Sequence, residues 1–127
     1  MKKWTSILLL LFVSIQLFGN PEDEVKAQFP GGNTALAKFL DNNLKYPEEA
    51  QKQKWAGTTL IGFTVNEDGS ISNIRVVKST KLVLDNEALR LVKTMPKWTP
   101  ASQNGANKKE MVILPINFDL SKKNIMY

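Results

Sequence analysis

Three carboxylates carry the chain's candidate chemistry: Asp68, Asp85 and Glu87. A pair of acids acts as general acid and base only where the surroundings push their proton affinities apart. Here Asp68 lies in a turn sequence and Asp85 at the expected start of a helix, where an acid serves as a cap. Ser70, Ser72 and Ser79 offer hydroxyls, but the chain has no His to activate one as a nucleophile. With no His and no Cys, the commonest general base and the commonest metal ligands are absent, as are disulfides and a lipid-modified N-terminal cysteine. Gly31-Gly32 has neither the lysine nor the spacing of a phosphate loop. Trp98 beside Lys93 and Lys97 has the composition of a nucleic-acid contact, yet an aromatic at the end of a helix more simply covers the core. Arg75, Lys78, Lys81, Arg90, Lys93 and Lys97 form a loose basic set, which reads as solvated surface. No enzymatic constellation, cofactor, metal or small-molecule substrate is expected.

The elements that position these residues centre on Gly57–Ser79. Thr59, Ile61, Phe63 and Val65 alternate with Thr58, Leu60, Gly62 and Thr64, the two-residue period of a half-buried strand. Asn66-Glu67-Asp68-Gly69 supplies a hairpin turn. In the second arm Ile71 is out of phase with Ile74 and Val76, and a bulge near Ser72-Asn73 brings the three onto one face. A lone hairpin is marginal in water, so a third strand and a cover are required.

The third strand is expected at Met111–Leu120. Val112, Leu114, Ile116, Phe118 and Leu120 alternate toward the core, and Met111, Ile113, Pro115, Asn117 and Asp119 face away. Pro115 has no N–H to give to a ladder, which places this strand at an edge of the sheet. The cover is a helix over Asp85–Met95, capped by Asp85 and stopped by Pro96, with Leu84, Ala88, Leu91, Val92 and Met95 along one side. Two further helices are expected: one through Ala35–Leu40 capped by Asn33 or Thr34, and a short one opened by Pro47 with Glu48 and Glu49 in its first turn. Ala101–Lys109 reads as a polar loop with Gly105 at its tip. The fold class is α+β: a three-stranded antiparallel sheet with helices packed on one face.

The 127 residues carry a net charge of +5, which falls to +3 once Lys2 and Lys3 are removed with the leader. That is too little to argue for nucleic acid. Lys2-Lys3 followed by the apolar run Ile7–Val13 reads as a signal peptide over residues 1–19, its core short of the ~20 residues of a membrane span. Leu17 is large for the third position before a Gly19 cleavage site, so a retained short signal anchor is the alternative. Residues 20–28 read as a linker, 29–121 as one domain and 122–127 as a tail. The body of the protein is expected beyond the inner membrane.

FPGG, YPEEAQ, FTVNEDGSI, LDNEALRLV, MPKWTP, QNG and LPINF occur in this order over Phe29–Leu120. Together they resemble the TonB C-terminal domain family in its stand-alone, Bacteroidetes-like version. The resemblance implies the same α+β fold, residence in the periplasm, and contact with outer-membrane TonB-dependent receptors or other envelope proteins. It also implies capture of a short receptor segment beside the last strand, at Val112, Ile113, Leu114, Pro115, Ile116, Asn117 and Phe118. A homodimer through the same edge is the competing use. The family's energy-coupling members carry a His-bearing membrane helix and a long proline-rich spacer. Here the leader has no His, and nine residues at full extension cover about 30 Å. A protein-binding module in TonB-type transmembrane transport is therefore expected, with a membrane-anchored energy transducer that couples the inner-membrane proton gradient to outer-membrane receptors as the alternative.

Overall fold

The computed structural model describes residues 23–121; the expected leader and the expected tail lie outside the described residues. In chain order the elements are β1 (Glu24–Val25), α1 (Gly32–Asn43), α2 (Glu48–Gln53), β2 (Gly57–Val65), β3 (Ile71–Lys78), α3 (Leu82–Lys93), β4 (Ala101–Gln103), β5 (Ala106–Lys108) and β6 (Glu110–Phe118). The main sheet is antiparallel with β2 between β3 and β6. Alternation along β2 sends Ile61, Phe63 and Val65 into the core, where they meet Leu84, Ala88, Leu91 and Val92 of α3. The same period in β6 turns Leu114, Ile116 and Phe118 inward. The α+β fold expected from the sequence is thus the one observed.

The hairpin turn follows from its residue types. Gly69 adopts φ 86°, the left-handed region in which a side chain is strained. Its N–H donates to the Asn66 carbonyl, and Asn66 N–H donates to the Ser70 carbonyl. The bulge expected at Ser72-Asn73 is present. Pairing passes from Gly62–Arg75 to Thr64–Ser72, so Asn73 and Ile74 together oppose Phe63, and Asn73 takes φ 54°. A second shift between Leu60 and Ile61 leaves Val77 as the extra residue.

Several expectations are corrected. The last strand ends at Phe118 rather than Leu120, which lies beyond it in a turn and is 37% exposed. Helix α1 begins at Gly32, so Asn33 and Thr34 lie inside it, and Gly31 holds the cap position in a left-handed conformation. Pro47 is the cap of α2 rather than its first residue. Helix α3 starts three residues earlier than expected, at Leu82, and Asp85 is not its N-cap. The polar stretch 101–109 is a hairpin, not a loop. Asn104 and Gly105 both take positive φ, 52° and 82°, and close a two-residue turn between β4 and β5.

That hairpin joins β1 in a second three-stranded sheet, with Glu24 opposite Gln103 and Val25 opposite Ser102. Gln28 and Thr99 exchange backbone hydrogen bonds at 2.9 and 2.7 Å. Of the stretch expected to be a linker, Glu24, Val25 and Gln28 are therefore paired with the domain.

Candidate functional site

Strand β6 pairs with β2 through nine consecutive residues, from Gly57–Phe118 to Val65–Glu110, without a register shift. Its other side has no strand beside it among the described residues. Pro115 lies opposite Leu60. In an antiparallel ladder, residues on one strand direct their N–H and C=O alternately to the two sides. Proline has no N–H to offer, so Pro115 occupies an outward position, and Ile113 and Asn117 share its parity. Their N–H groups point away from β2, while Val112, Leu114, Ile116 and Phe118 bond to it. Edge-strand groups of this kind are a template for an added strand.

The side chains divide the same way. Leu114, Ile116 and Phe118 are buried and Val112 is half-buried against them. Met111 and Ile113, 57% and 47% exposed, stand on the helix-free face with Pro115 and Asn117. On that face Thr58 donates to the Asn117 side-chain carbonyl at 3.1 Å. The Arg75 guanidinium reaches the Met111 sulfur at 3.0 Å. All seven residues from Val112 to Phe118 thus belong to one regular edge strand.

The opposite edge, β3, is different in kind. Its two bulges break the even spacing of outward groups, and a bulge twists an edge away from pairing.

The carboxylates have structural partners. Asp68 accepts from the Ser70 N–H and hydroxyl, which hold its carboxyl below the usual range. Asp85, 5% exposed, accepts from Thr59 Oγ1 at 2.8 Å, from the Thr80 N–H at 3.1 Å and from the Ser79 hydroxyl. Burial pushes this carboxyl up, yet the bonds from Ser79, Thr80 and Thr59 prevail and hold it below its ordinary value. Glu87 accepts from Arg90 Nε and Nη2 and from the Lys45 N–H, joining α3 to the segment after α1. The basic residues are also divided: Arg75 lies on the open face, Arg90 binds Glu87, and Lys81 sits 5.2 Å over the Trp55 ring. Trp98 is core, edge-on to Phe63 and Phe29.

One feature of the site is invisible to sequence reasoning. Between the second half of α1 and β6 lies a cleft of about 240 Å³, lined by Ala37, Leu40, Asp41, Leu44, Tyr46, Leu91, Pro115, Ile116, Asn117 and Asp119. Tyr46 stands edge-on to Phe118 and donates to the Trp55 carbonyl. Burial, and then the Asp119 charge, raise its hydroxyl above the ordinary value.

The fold and this edge define a small α+β domain whose main sheet ends in a strand with no neighbour on its outer side among the described residues. The family described as Gram-negative bacterial TonB protein C-terminal matches residues 42–120, and the chain belongs to that family. Protein TonB of Helicobacter pylori strain 26695 is 33% identical over 104 residues, covering 78% of this chain and 35% of that protein. Protein TonB of Pasteurella multocida is 32% identical over 104 residues, covering 81% of this chain and 38% of that protein. The chain thus spans just over a third of the length of the curated relatives it matches. A solution structure of the Helicobacter pylori TonB-CTD superposes with a TM-score of 0.55 at 28% identity, covering 70% of this chain and 94% of that one. Among the described residues no helix is long and apolar enough to cross a membrane.

Proposed function

We propose that this is a periplasmic TonB-like binding module serving TonB-type transport, and that it pairs the outer edge of β6 with an extended segment of an outer-membrane TonB-dependent receptor or another envelope protein. The observation that carries this reading is the contrast between the two edges of the main sheet: β6 keeps its register for nine residues, while β3 is interrupted twice. Main-chain hydrogen bonds to an added strand supply affinity, and alternate side chains supply selectivity. The outward N–H groups of Ile113 and Asn117, with the outward carbonyls of Ile113, Pro115 and Asn117, are the bonding set. Val112, Leu114, Ile116 and Phe118 hold the strand straight by anchoring its other side.

The test is a backbone NMR titration of the labelled domain with extended peptides from candidate receptors. Perturbation centred on Ile113 and Asn117 is the expected result. Shifts confined to α3 would overturn strand addition. A self-paired dimer through the same edge would instead perturb these amides with rising protein concentration and no peptide.

The second reading is a membrane-anchored energy transducer. It is favoured by the apolar run Ile7–Val13 and by relatives named TonB that are nearly three times as long as the matched region. Intact mass of the exported protein separates the two: loss of about the first nineteen residues removes the anchor.

A further inference from the structure

We infer that the helix-free face of the main sheet docks on an anionic phospholipid surface, with Arg75 holding a headgroup phosphate. The inference uses the face of the sheet and the proposed pairing uses its edge, so either can fail without the other. Three observations carry it. The first is where apolar surface is left in the open. Val77, Met111 and Ile113 are all exposed on this face, and Leu60 and Pro115, opposite each other, continue the patch. Apolar side chains gathered on one surface mark an interaction site, whereas scattered ones do not.

The second is the cation set into that patch. A Cβ at Gly62 would lie 2.8 Å from a Val77 methyl and 3.3 Å from the Arg75 Cζ, so both side chains lie over the bare glycine. From β3 the Arg75 guanidinium crosses the central strand to the Met111 sulfur on β6. Its Nη1 donates to the Asn73 carbonyl at 2.9 Å, and among the described residues no carboxylate pairs with it. A guanidinium carries five N–H donors in a planar fork that matches a phosphate. Lys78, opposite Leu60, adds a second cation on this face. Glu110 is the one acid in the three strands, and it lies opposite the buried Val65, on the other face.

The third is the backbone. Strand β2 is paired on both sides, so the middle of this face offers no main-chain group. A peptide laid across it gains no ladder. A second copy brings another Arg75 and Lys78 toward the first pair, and like charges oppose such docking. A phospholipid layer needs no ladder, takes apolar side chains into its headgroup region and attracts cations through its negative surface. A sheet lying flat on that layer directs the outward N–H groups of Ile113 and Asn117 along the membrane surface.

The test uses vesicles of phosphatidylcholine, alone or with an equal part of phosphatidylglycerol. All the elements lie within residues 23–121, and the Helicobacter pylori TonB-CTD was solved by itself. The chain from Asp23 onward is therefore taken, without the apolar run Ile7–Val13, which would bind lipid on its own account. Co-sedimentation measures partition, and methyl NMR with a spin-labelled lipid locates the face. Partition into the anionic vesicles is expected to be at least about tenfold stronger and to weaken with salt. The Val77, Met111 and Ile113 methyls should broaden, and those of Leu82, exposed on α3, should not. Arg75→Gln and Lys78→Gln should each weaken partition about fivefold. Val77→Thr combined with Met111→Gln should weaken it about tenfold at unchanged charge. Lys93→Gln, at the end of α3, makes the same change of net charge as the first two and should leave partition close to that of the wild type. Melting temperatures within a few degrees of the wild type confirm that each variant is folded.

Absence of partition, or equal partition into the two kinds of vesicle, would overturn the inference. So would an equal loss in Lys93→Gln, which would reduce the effect to net charge. Inorganic phosphate that shifts the Arg75 side chain while vesicles do not bind would make the ligand a free anion. Val77 and Met111 shifts that follow protein concentration alone would assign the face to a second copy; either result overturns the lipid surface.

Discussion

Gly69 and Trp98 are in backbone contact: the Trp98 N–H donates to the Gly69 carbonyl at 2.9 Å, and the Trp98 carbonyl oxygen fills the space where a side chain at residue 69 would begin. The hairpin turn and the segment after α3 are locked together at this point. Gly69→Ala meets both a left-handed φ and a backbone collision. It is expected to destabilise the domain by at least about 2 kcal/mol, beyond the ~1 kcal/mol of an unfavourable φ alone. Chemical denaturation measures it; a midpoint within error of the wild type would show that the two segments separate freely.

Phe63 is fully buried in the middle of β2, its ring 5.2 Å from that of Trp98. Phe63→Ala should cost about 3–5 kcal/mol, a large part of a small domain's stability. A melting temperature lowered by only a degree or two would contradict this.

Asp85 ties α3 to β2 and to the turn before the helix. Its carboxyl is held below its ordinary value, so its contribution to stability is complete above the unfolded value of about 3.9 and is lost as pH falls through the lower folded value. Asp85→Asn should therefore cost about 1–3 kcal/mol at neutral pH, and the deficit against wild type should narrow below about pH 4. Parallel denaturant titrations at pH 7 and pH 3 check the sign. A deficit that widens in acid would refute it.

Proline at Ile113 or Asn117 removes an outward N–H and should leave the fold close to intact while weakening peptide docking at least tenfold. Proline at Leu114 removes a bond to β2 from a buried position and should cost about 3 kcal/mol or more in stability. Circular dichroism and peptide titration on the three variants separate these effects. Equal loss of fold in all three would mean that the edge has been assigned to the wrong parity.

The hairpin, its first bulge and the last strand were legible because each rests on local, period-two alternation: Phe63 between Ile61 and Val65, Ile71 against Ile74, Leu114 before Ile116. Pro115 alone was enough to place β6 at an edge. The second sheet was not legible. Strands β4 and β5 are three residues each, too short and too polar to show a period, and Val25, which pairs with β4, is far away in sequence. Asp85 has the composition of a cap, and its carboxylate does reach a turn N–H. That N–H belongs to Thr80, because Leu82 and Val83 continue the helix toward it. The cleft depends on how α1 lies across β6, and no local pattern in either segment encodes that distance.

The two bulges in β3 have a bearing on stoichiometry. A sheet with two straight edges is divalent: each copy accepts a neighbour on either side, and association propagates into fibres. With β3 bent at Asn73 and Val77, β6 is the edge of the main sheet that keeps an unbroken register. The proposed pairing through β6 would then end with the first strand that arrived, whether it belonged to a receptor or to a second copy. The two uses of that edge would then be mutually exclusive, and the two extra residues in β3 would keep such pairing from propagating into open-ended assembly.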